Sequence, residues 1–380
     1  MKHLSSILFI SVFLLIYSAV NYYLFVKGYR AVPNKANFRG IYTAVFLFFA
    51  IQFILSRMLL FIDTPLLSKI TFTLTGVWLA AMLYFFLTAV CVDLIRLADY
   101  FFHFLPDLTP YKFKLFSAIL VAIASLLLMG NINAKNVKVN NLTLNIAKKS
   151  TLSHLKIALV SDVHFGAMIG VKDVQKMLNL IEQQNPDILL LAGDFIDEGV
   201  TRKKLNEIIP LFQQFEPKYG KIAVLGNHEY INDIEKSKQI YEQLGITLLI
   251  DSVLSIPNAF SIIGRDDKSG DFRNKSQRKP LEELLNEANP DLPLILLDHQ
   301  PMQLQETARY PIDLQLSGHT HHGQMFPLNR LTSAIFEKSW GYLKINDTHF
   351  YISSGFGTWG PPIRLGSRAE IVLVEVMMKN

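Results

Sequence analysis

The chain has 380 residues, half of them hydrophobic and only 18% charged, with a formal net charge of +5. That length leaves room for two or three domains, and a single cysteine, Cys91, excludes a disulfide framework or a thiolate metal site. The basic excess lies in the first 132 residues, with ten Lys/Arg against four Asp/Glu; the remainder has 27 against 28, so no nucleic-acid groove is expected there.

Four apolar stretches open the chain, at about 4–26, 40–62, 70–92 and 115–132. Each is long enough, or nearly so, to cross a bilayer. The first is too long in its apolar part for a cleaved signal peptide, and no A-x-A site follows it. Arg57 in the second can snorkel from near an end. The connections are short and polar: Lys27 to Arg39, the Asp63-Thr-Pro turn, and Asp93 to Lys114. Asp93 and Arg96 read as interfacial. No repeated acidic or histidine pattern marks a transport path, so residues 1–132 read as a membrane domain of about four helices that anchors the rest. The first and third connections hold seven Lys/Arg against three for the N-terminus and second connection, which places the C-terminal part outside the cytoplasm. Lys135, Lys138, Lys148 and Lys149 pull the other way.

Residues 133–380 read as one further domain. Asn133–Lys149 alternates as an edge hairpin, and Leu155–Asp162 is a buried opening strand. Amphipathic helices over Val171–Asn185, Arg202–Phe215 and Ile234–Leu244 alternate with strands at Ile188–Asp194, Lys221–Leu225 and Ile246–Ile250. This is α/β organisation with a largely parallel sheet. A hairpin over Ser252–Gly264 and an exposed loop over Arg265–Lys279 follow. Then come a helix at Leu281–Ala288, a strand at Leu292–Asp298, a helix at Met302–Arg309 and a strand at Ile312–Ser317. Gly341–Ile345, His349–Ser353 and Glu370–Val376 alternate as late, antiparallel-leaning strands.

Five short motifs close apolar runs along this domain. They are Asp162-Val-His164, Gly193-Asp194, Gly226-Asn-His-Glu229, Asp298-His299 and Gly318-His-Thr-His321. Asp162 and His164, one residue apart, are expected to project the same way by the period of a strand. Ligand sites in open α/β sheets collect at the carboxyl ends of strands. Together the motifs supply Asp162, His164, Asp194, Asn227, His299, His319 and His321. That is too many for one tetrahedral metal and suits two metals sharing a bridging carboxylate. Mixed N/O ligation favours Mn, Fe, Zn, Co or Ni. Two such ions, roughly 3.5–4 Å apart, suit in-line hydrolysis at phosphorus.

The ordered pattern D-x-H, G-D, G-N-H-E, a lone His and G-H-x-H resembles the calcineurin-like metallophosphoesterases from about Ser153 onward. The tail Trp359-Gly-Pro-Pro-Ile-Arg-Leu-Gly-Ser367 is similar to a bacterial branch with N-terminal membrane segments, which implies a bacterial plasma-membrane protein. The resemblance implies a four-layer αββα sandwich. It also implies one metal on Asp162, His164, Asp194 and His321, and a second on Asp194, Asn227, His299 and His319. His228 would be the non-ligand histidine that stabilises phosphoryl oxygens or protonates the leaving group. His322 departs from the branch, which usually has glycine there; a structural substitution is the preferred reading.

Around these, Glu229 is expected to hold an imidazole and Asp298 to orient or cap around His299. Arg265, Trp359 and Arg364 are candidates for gripping phosphate or shaping the cleft mouth, and His154 and His349 read as surface or core histidines. The function expected is a membrane-anchored metal-dependent phosphodiesterase or pyrophosphatase acting on a phosphoester, with a lipid-linked substrate motivated by the anchor. The alternatives are a non-catalytic metal- or phosphate-binding sensor or scaffold, and nucleic-acid processing, which the charge disfavours. Oligomeric state is left open.

Overall fold

The computed structural model describes residues 2–59, 65–270 and 277–379. Its contacts form two units, Met1–Asn131 with Gly360–Ile363, and Ile132–Trp359 with Arg364–Asn380.

The first unit is built from long helices: α1 (Lys2–Ala31), α2 (Ala36–Leu59), α3 (Pro65–Phe102) and α4 (Lys112–Lys135), which runs on past its boundary. Within them Ile10–Ala31, Ala36–Leu59, Leu66–Phe102 and, with the short turn before α4, Thr109–Lys135 are long and apolar enough to cross a membrane. Their outward side chains, such as Leu15, Leu66 and Val121, are apolar and exposed, as lipid-facing residues are. The end of the second expected stretch at Ile62 and the turn at Asp63 lie outside the described residues. One boundary needs correction. The third span was expected to give way to a connection at Asp93, but α3 continues through Asp93 and Arg96 to Phe102. Hydropathy falls there while helix-forming residues persist, and no proline intervenes before Pro106. Inside α3, Asp93 pairs with Lys27 of α1 and accepts the Tyr23 hydroxyl at 2.7 Å.

The second unit carries strands β1 (Lys138–Lys149), β2 (His154–Val160), β3 (Ile188–Ala192), β4 (Lys221–Val224), β5 (Thr247–Leu249) and β6 (Ser252–Ile256). They are followed by β7 (Phe260–Gly264), β8 (Leu294–Leu297), β9 (Leu314–Ser317), β10 (Gly341–Ile345), β11 (Thr348–Ile352) and β12 (Glu370–Lys379). Its helices are α5 (Val171–Glu182), α6 (Arg202–Gln214), α7 (Asn227–Asn232), α8 (Ile234–Gln243), α9 (Leu281–Leu285), α10 (Leu304–Thr307) and α11 (Leu328–Ile335).

The strands form two sheets, ordered β1-β12-β2-β3-β4-β5 and β10-β11-β9-β8-β7-β6. The period-two alternation of fully apolar strands divides the side chains between layers. From β2, Ile157 and Leu159 point to a core shared with Ile262 of β7, Ile295 and Leu297 of β8 and Leu316 of β9, which fills the space between the sheets. Ala158 and Val160 point the other way, to Val174 and Leu178 of α5, Ile208 and Phe212 of α6 and Ile240 of α8. The second sheet repeats this, with Ile263, Leu294 and Leu296 against Leu281 and Leu284 of α9. The result is helix, sheet, sheet, helix: the αββα sandwich.

Three local expectations fail. The loop expected to be exposed over Arg265–Lys279 has Asp266 and Asp267 buried, and residues 271–276 of it lie outside the described residues. Residues 133–149 do not form a hairpin: α4 runs to Lys135, and Lys138–Lys149 is one edge strand, parallel to β12. Asn140-Asn141 lacks the glycine that favours a two-residue turn and stays extended opposite Val372 and Leu373. The late strands are also mixed. β10 and β11 are antiparallel and so are β12 and β2, but β11 joins β9 in parallel. Alternation reports which face a residue takes, not strand direction.

Candidate metal centre

All five motifs lie just beyond the carboxyl ends of strands: after β2, β3 and β4 in one sheet and after β8 and β9 in the other. The pleat does not aim Asp162 and His164, because β2 ends at Val160. Both residues lie in the following loop at positive φ, 52° and 54°. Asp194 (53°), His319 (72°) and His321 (46°) share the left-handed region. A non-glycine residue there is strained, and such residues cluster at functional sites. The chain turns sharply as it leaves β2, β3 and β9, and that turn carries the polar side chain into the centre.

Backbone bonds tie the loops together. The Asp162 and His164 N–H groups donate to the Gly193 and Asp194 carbonyls at 3.1 and 3.0 Å. The N–H of His319 reaches both oxygens of Asp162 at 3.0 Å, and that of His228 reaches Asp194 Oδ1 at 2.8 Å. Such approach requires glycine: a Cβ on Gly226 would collide with the Asp194 carboxylate, and one on Gly318 with that of Asp162.

Three overlapping groups of buried or half-buried side chains could each hold a metal ion: Asp162, His164 and His321; His164, Asp194 and His228; Asp194, His299 and His319. Nε2 atoms of His164 and His321 stand 3.0 Å apart, with Asp162 Oδ1 3.4 Å from the latter. On the other side, Asn227 Oδ1 lies 2.8 Å from His319 Nδ1 and 3.3 Å from His299 Nε2, which is itself 3.3 Å from Asp194 Oδ2. The structure thus gathers all seven predicted residues, with His228 beside them.

The donor chemistry fits divalent ions. His299 Nδ1 donates to the Ala192 carbonyl, 2.7 Å away, which turns Nε2 toward the centre. Burial pushes this imidazole down, but Asp194 outweighs it and holds it well above its ordinary range; loss of that proton to a bound ion would free the Nε2 lone pair. Burial pushes the His319 and His321 imidazoles below their ordinary range, with the neighbouring His299 and His164 adding to it, so both are held neutral. Burial pushes the Asp194 carboxyl up, but His299, His228 and His164 outweigh it and hold the group ionised. Neutral imidazole and ionised carboxylate are the ligand forms. Separations near 3 Å between such atoms match neighbouring ligands on an ion bound at about 2.0–2.2 Å.

His228 has a different environment. Its Nδ1 lies 3.0 Å from Asp197 Oδ1, while Asp197 Oδ2 lies 3.3 Å from His164 Nδ1. Burial lowers its pKa, but the Asp197 bond and the charges of Asp194, Asp197 and Glu229 overcome this and push it up to about 9. Bound cations reverse part of that effect. The Trp359 ring, 60% exposed, stands 6.2 Å from the His228 ring, and Phe336 stands 6.1 Å from that of His319.

Several neighbouring roles differ from expectation. Glu229 holds no imidazole: its buried carboxylate accepts N–H bonds from Asp194, Ile196 and Gly226 and the Tyr241 hydroxyl. Asp197 takes the imidazole-holding place. Asp298 pairs with Arg278 and does not orient or cap around His299. Arg364 does not face a cleft. It is fully buried, donates to the Gly355 and Gly357 carbonyls at 3.1 and 2.6 Å, and lies 3.3 Å from His321 Nδ1. Arg265 donates to the Lys279 carbonyl. His322, at φ 47°, contacts Ser339 Oγ at 2.9 Å and the Trp340 ring. His154 is exposed and His349 is buried against the Tyr342 hydroxyl.

A family model described as calcineurin-like phosphoesterase matches residues 155–323. A metallophosphoesterase of Aquifex aeolicus is 32% identical over 245 residues, 64% of this chain and 93% of that protein. The chain belongs to the calcineurin-like metallophosphoesterases. A metallophosphoesterase of Campylobacter jejuni, 26% identical, aligns over 98% of this chain and 99% of its own. A transmembrane protein with metallophosphoesterase domain from Danio rerio is 31% identical over 66% of this chain, which spans only 60% of that relative. This metallophosphoesterase is therefore a phosphoester hydrolase of a family that uses divalent metals. The four long apolar helices among the described residues and the transmembrane relative support membrane association.

Proposed function

We propose that the chain is a membrane-anchored, dinuclear-metal phosphohydrolase, acting as a phosphodiesterase or pyrophosphatase on a phosphoester embedded in or linked to lipid. The observation that carries this reading is the sharing of Asp194 between two potential ligand groups, one with His164 and His228 and one with His299 and His319; His228 is assigned to proton transfer because its Nδ1 is bonded to Asp197. Asp162, His164, Asp194 and His321 would hold one ion; Asp194, Asn227, His299 and His319 would hold the other. The all-N/O set suits Mn, Fe, Zn, Co or Ni. When bound, the ions supply Lewis acidity at the phosphoryl group and lower the pKa of water toward neutrality.

The protein's own residues do the rest. Asp197 holds His228 through Nδ1 and so fixes the direction of the other ring nitrogen, from which a proton can pass to the leaving oxygen. Glu229 locks the backbone between Asp194 and Gly226, setting the spacing of the shared carboxylate and Asn227. Trp359 and Phe336 flank the two sides of the centre and limit water there. In this reading residues 1–132 are the anchor and 133–380 the catalytic domain, held at a bacterial plasma membrane on its outer side; the basic residues flanking the first and third connections favour that side, and Lys135, Lys138, Lys148 and Lys149 oppose it.

The test is hydrolysis of bis-p-nitrophenyl phosphate and p-nitrophenyl phosphate by the full-length protein, with manganese and with chelator. The reading requires metal-dependent cleavage, lowered by about 10²-fold or more in Asn227→Ala and His228→Ala proteins of unchanged fold. A folded, metal-loaded protein inert toward these esters and toward lipid pyrophosphates would contradict it.

A further inference from the structure

The segment after the Gly-His-Thr-His box, residues 324–346, is used only in part by the chemistry above. Its helix α11 carries Leu328, Leu331 and Ile335 at spacings of three and four, which forms one apolar stripe. Such a stripe normally packs on a core, yet no α11 side chain is buried: Leu331 is 59% and Ile335 66% exposed. Phe326 before the helix and Trp340 after it extend the same kind of surface, at 53% and 44% exposure. The Trp340 indole N–H is tied to Glu370 at 3.1 Å, so its ring is presented by a fixed bond.

The charge around this surface is distinctive. Residues 324–346 hold Arg330, Lys338 and Lys344 against Glu337 alone, within a domain that otherwise has more acidic than basic residues. Glu337 is turned to the N–H groups of Leu304 and Gln305. The segment is also continuous with the metal centre, since Phe336 directly follows α11 and lies against His319.

We infer that α11, with Phe326 and Trp340, is a lipid-docking surface that lies in the bilayer interface and brings the metal centre to phosphoesters held there. This rests on the membrane-substrate reading given above and deepens it. Aliphatic and aromatic side chains with a basic rim are the composition of an interfacial helix, favoured by anionic lipid. The candidate spans of the same chain keep a bilayer within reach, so even weak insertion is favoured by effective concentration. A headgroup phosphate then sits at the mouth beside His319, while its acyl chains stay in the lipid.

The test uses the full-length protein in vesicles of phosphatidylcholine and phosphatidylglycerol. Cys91→Ala with Leu331→Cys carries an NBD label; Lys236→Cys, at an exposed position of α8, is the reference. The expected result is a blue-shifted label at position 331, quenched several-fold more by lipids spin-labelled on the acyl chain than the label at 236. Arg330→Glu with Lys338→Glu should weaken that quenching. A label at 331 as wet as the one at 236 overturns the inference. A dry label untouched by the spin-labelled lipids also overturns it and points to a second copy or another protein as the cover. No metal or turnover enters this readout. Retained quenching without any hydrolysis would therefore defeat the enzyme reading alone, and soluble-ester hydrolysis with a wet label would defeat the docking alone.

Discussion

Asp197 stands between two imidazoles with one carboxylate, Oδ1 toward His228 and Oδ2 toward His164, so it links the proposed general acid to the proposed metal ligands. Asp197→Asn should cost roughly 10–100-fold in metal affinity or turnover, because the replacement amide cannot accept from both rings. His228→Ala should lower kcat by about 10²–10⁴-fold with metal content unchanged. Kinetics on bis-p-nitrophenyl phosphate, with metal analysis of the same samples, separate the two effects. His322 gives the opposite expectation. Its left-handed backbone suits glycine, and its ring contacts Ser339 and Trp340. His322→Gly should keep kcat within a few-fold and stability within about 1 kcal/mol, the relieved strain offsetting the lost bond; a fall in kcat like that of His228→Ala would assign it a catalytic role. At this scale the sequence was legible where type and spacing carry the chemistry, as in Asp162-Val-His164. Asp197 was not: its histidine partners lie 31 and 33 residues away along the chain, on either side, and only the fold joins them. Arg364 was misread because an arginine in a glycine- and proline-rich tail gives no sign that it is wholly buried.

The elements matter through how they end. Hydrophobic alternation located the strands and divided their side chains between layers, but it could not show that the chain turns left-handed after β2, β3 and β9. Nor did it reveal α7, whose six residues are too few for a periodicity. Within α7, Glu229 offers its carboxylate to three N–H groups and one hydroxyl in a site closed to solvent. Glu229→Gln would turn an amide donor toward these donors and should destabilise the domain by about 1–3 kcal/mol, measured by denaturant unfolding of the metal-free protein. Arg364→Ala would leave the Gly357 carbonyl without its donor, leave the Gly355 carbonyl only the Glu370 N–H, and open a cavity next to His321. A loss of roughly 3–5 kcal/mol is expected, with Arg364→Lys recovering part of it. An unchanged melting temperature in Arg364→Ala would contradict the structural role.

For the whole molecule, the composition split at about residue 132 was plain in the sequence, because bilayer-length apolar runs need no tertiary information. The αββα architecture was legible only through the family resemblance, since strand periodicity does not say which of two sheets a strand joins. β12 shows why: it comes last in the chain yet inserts between β1 and β2. That insertion closes the sheet whose strand ends carry Asp162, Asp194 and Asn227. The chemistry proposed for the whole depends on two ions sharing Asp194, and this can be read directly. The first measurement to make is manganese loading of the full-length protein, followed by metal analysis and electron paramagnetic resonance, for the native chain and Asp194→Asn. The account predicts two ions per chain with an exchange-coupled signal, and loss of that coupling in the variant. One uncoupled ion per chain in the native protein would contradict it.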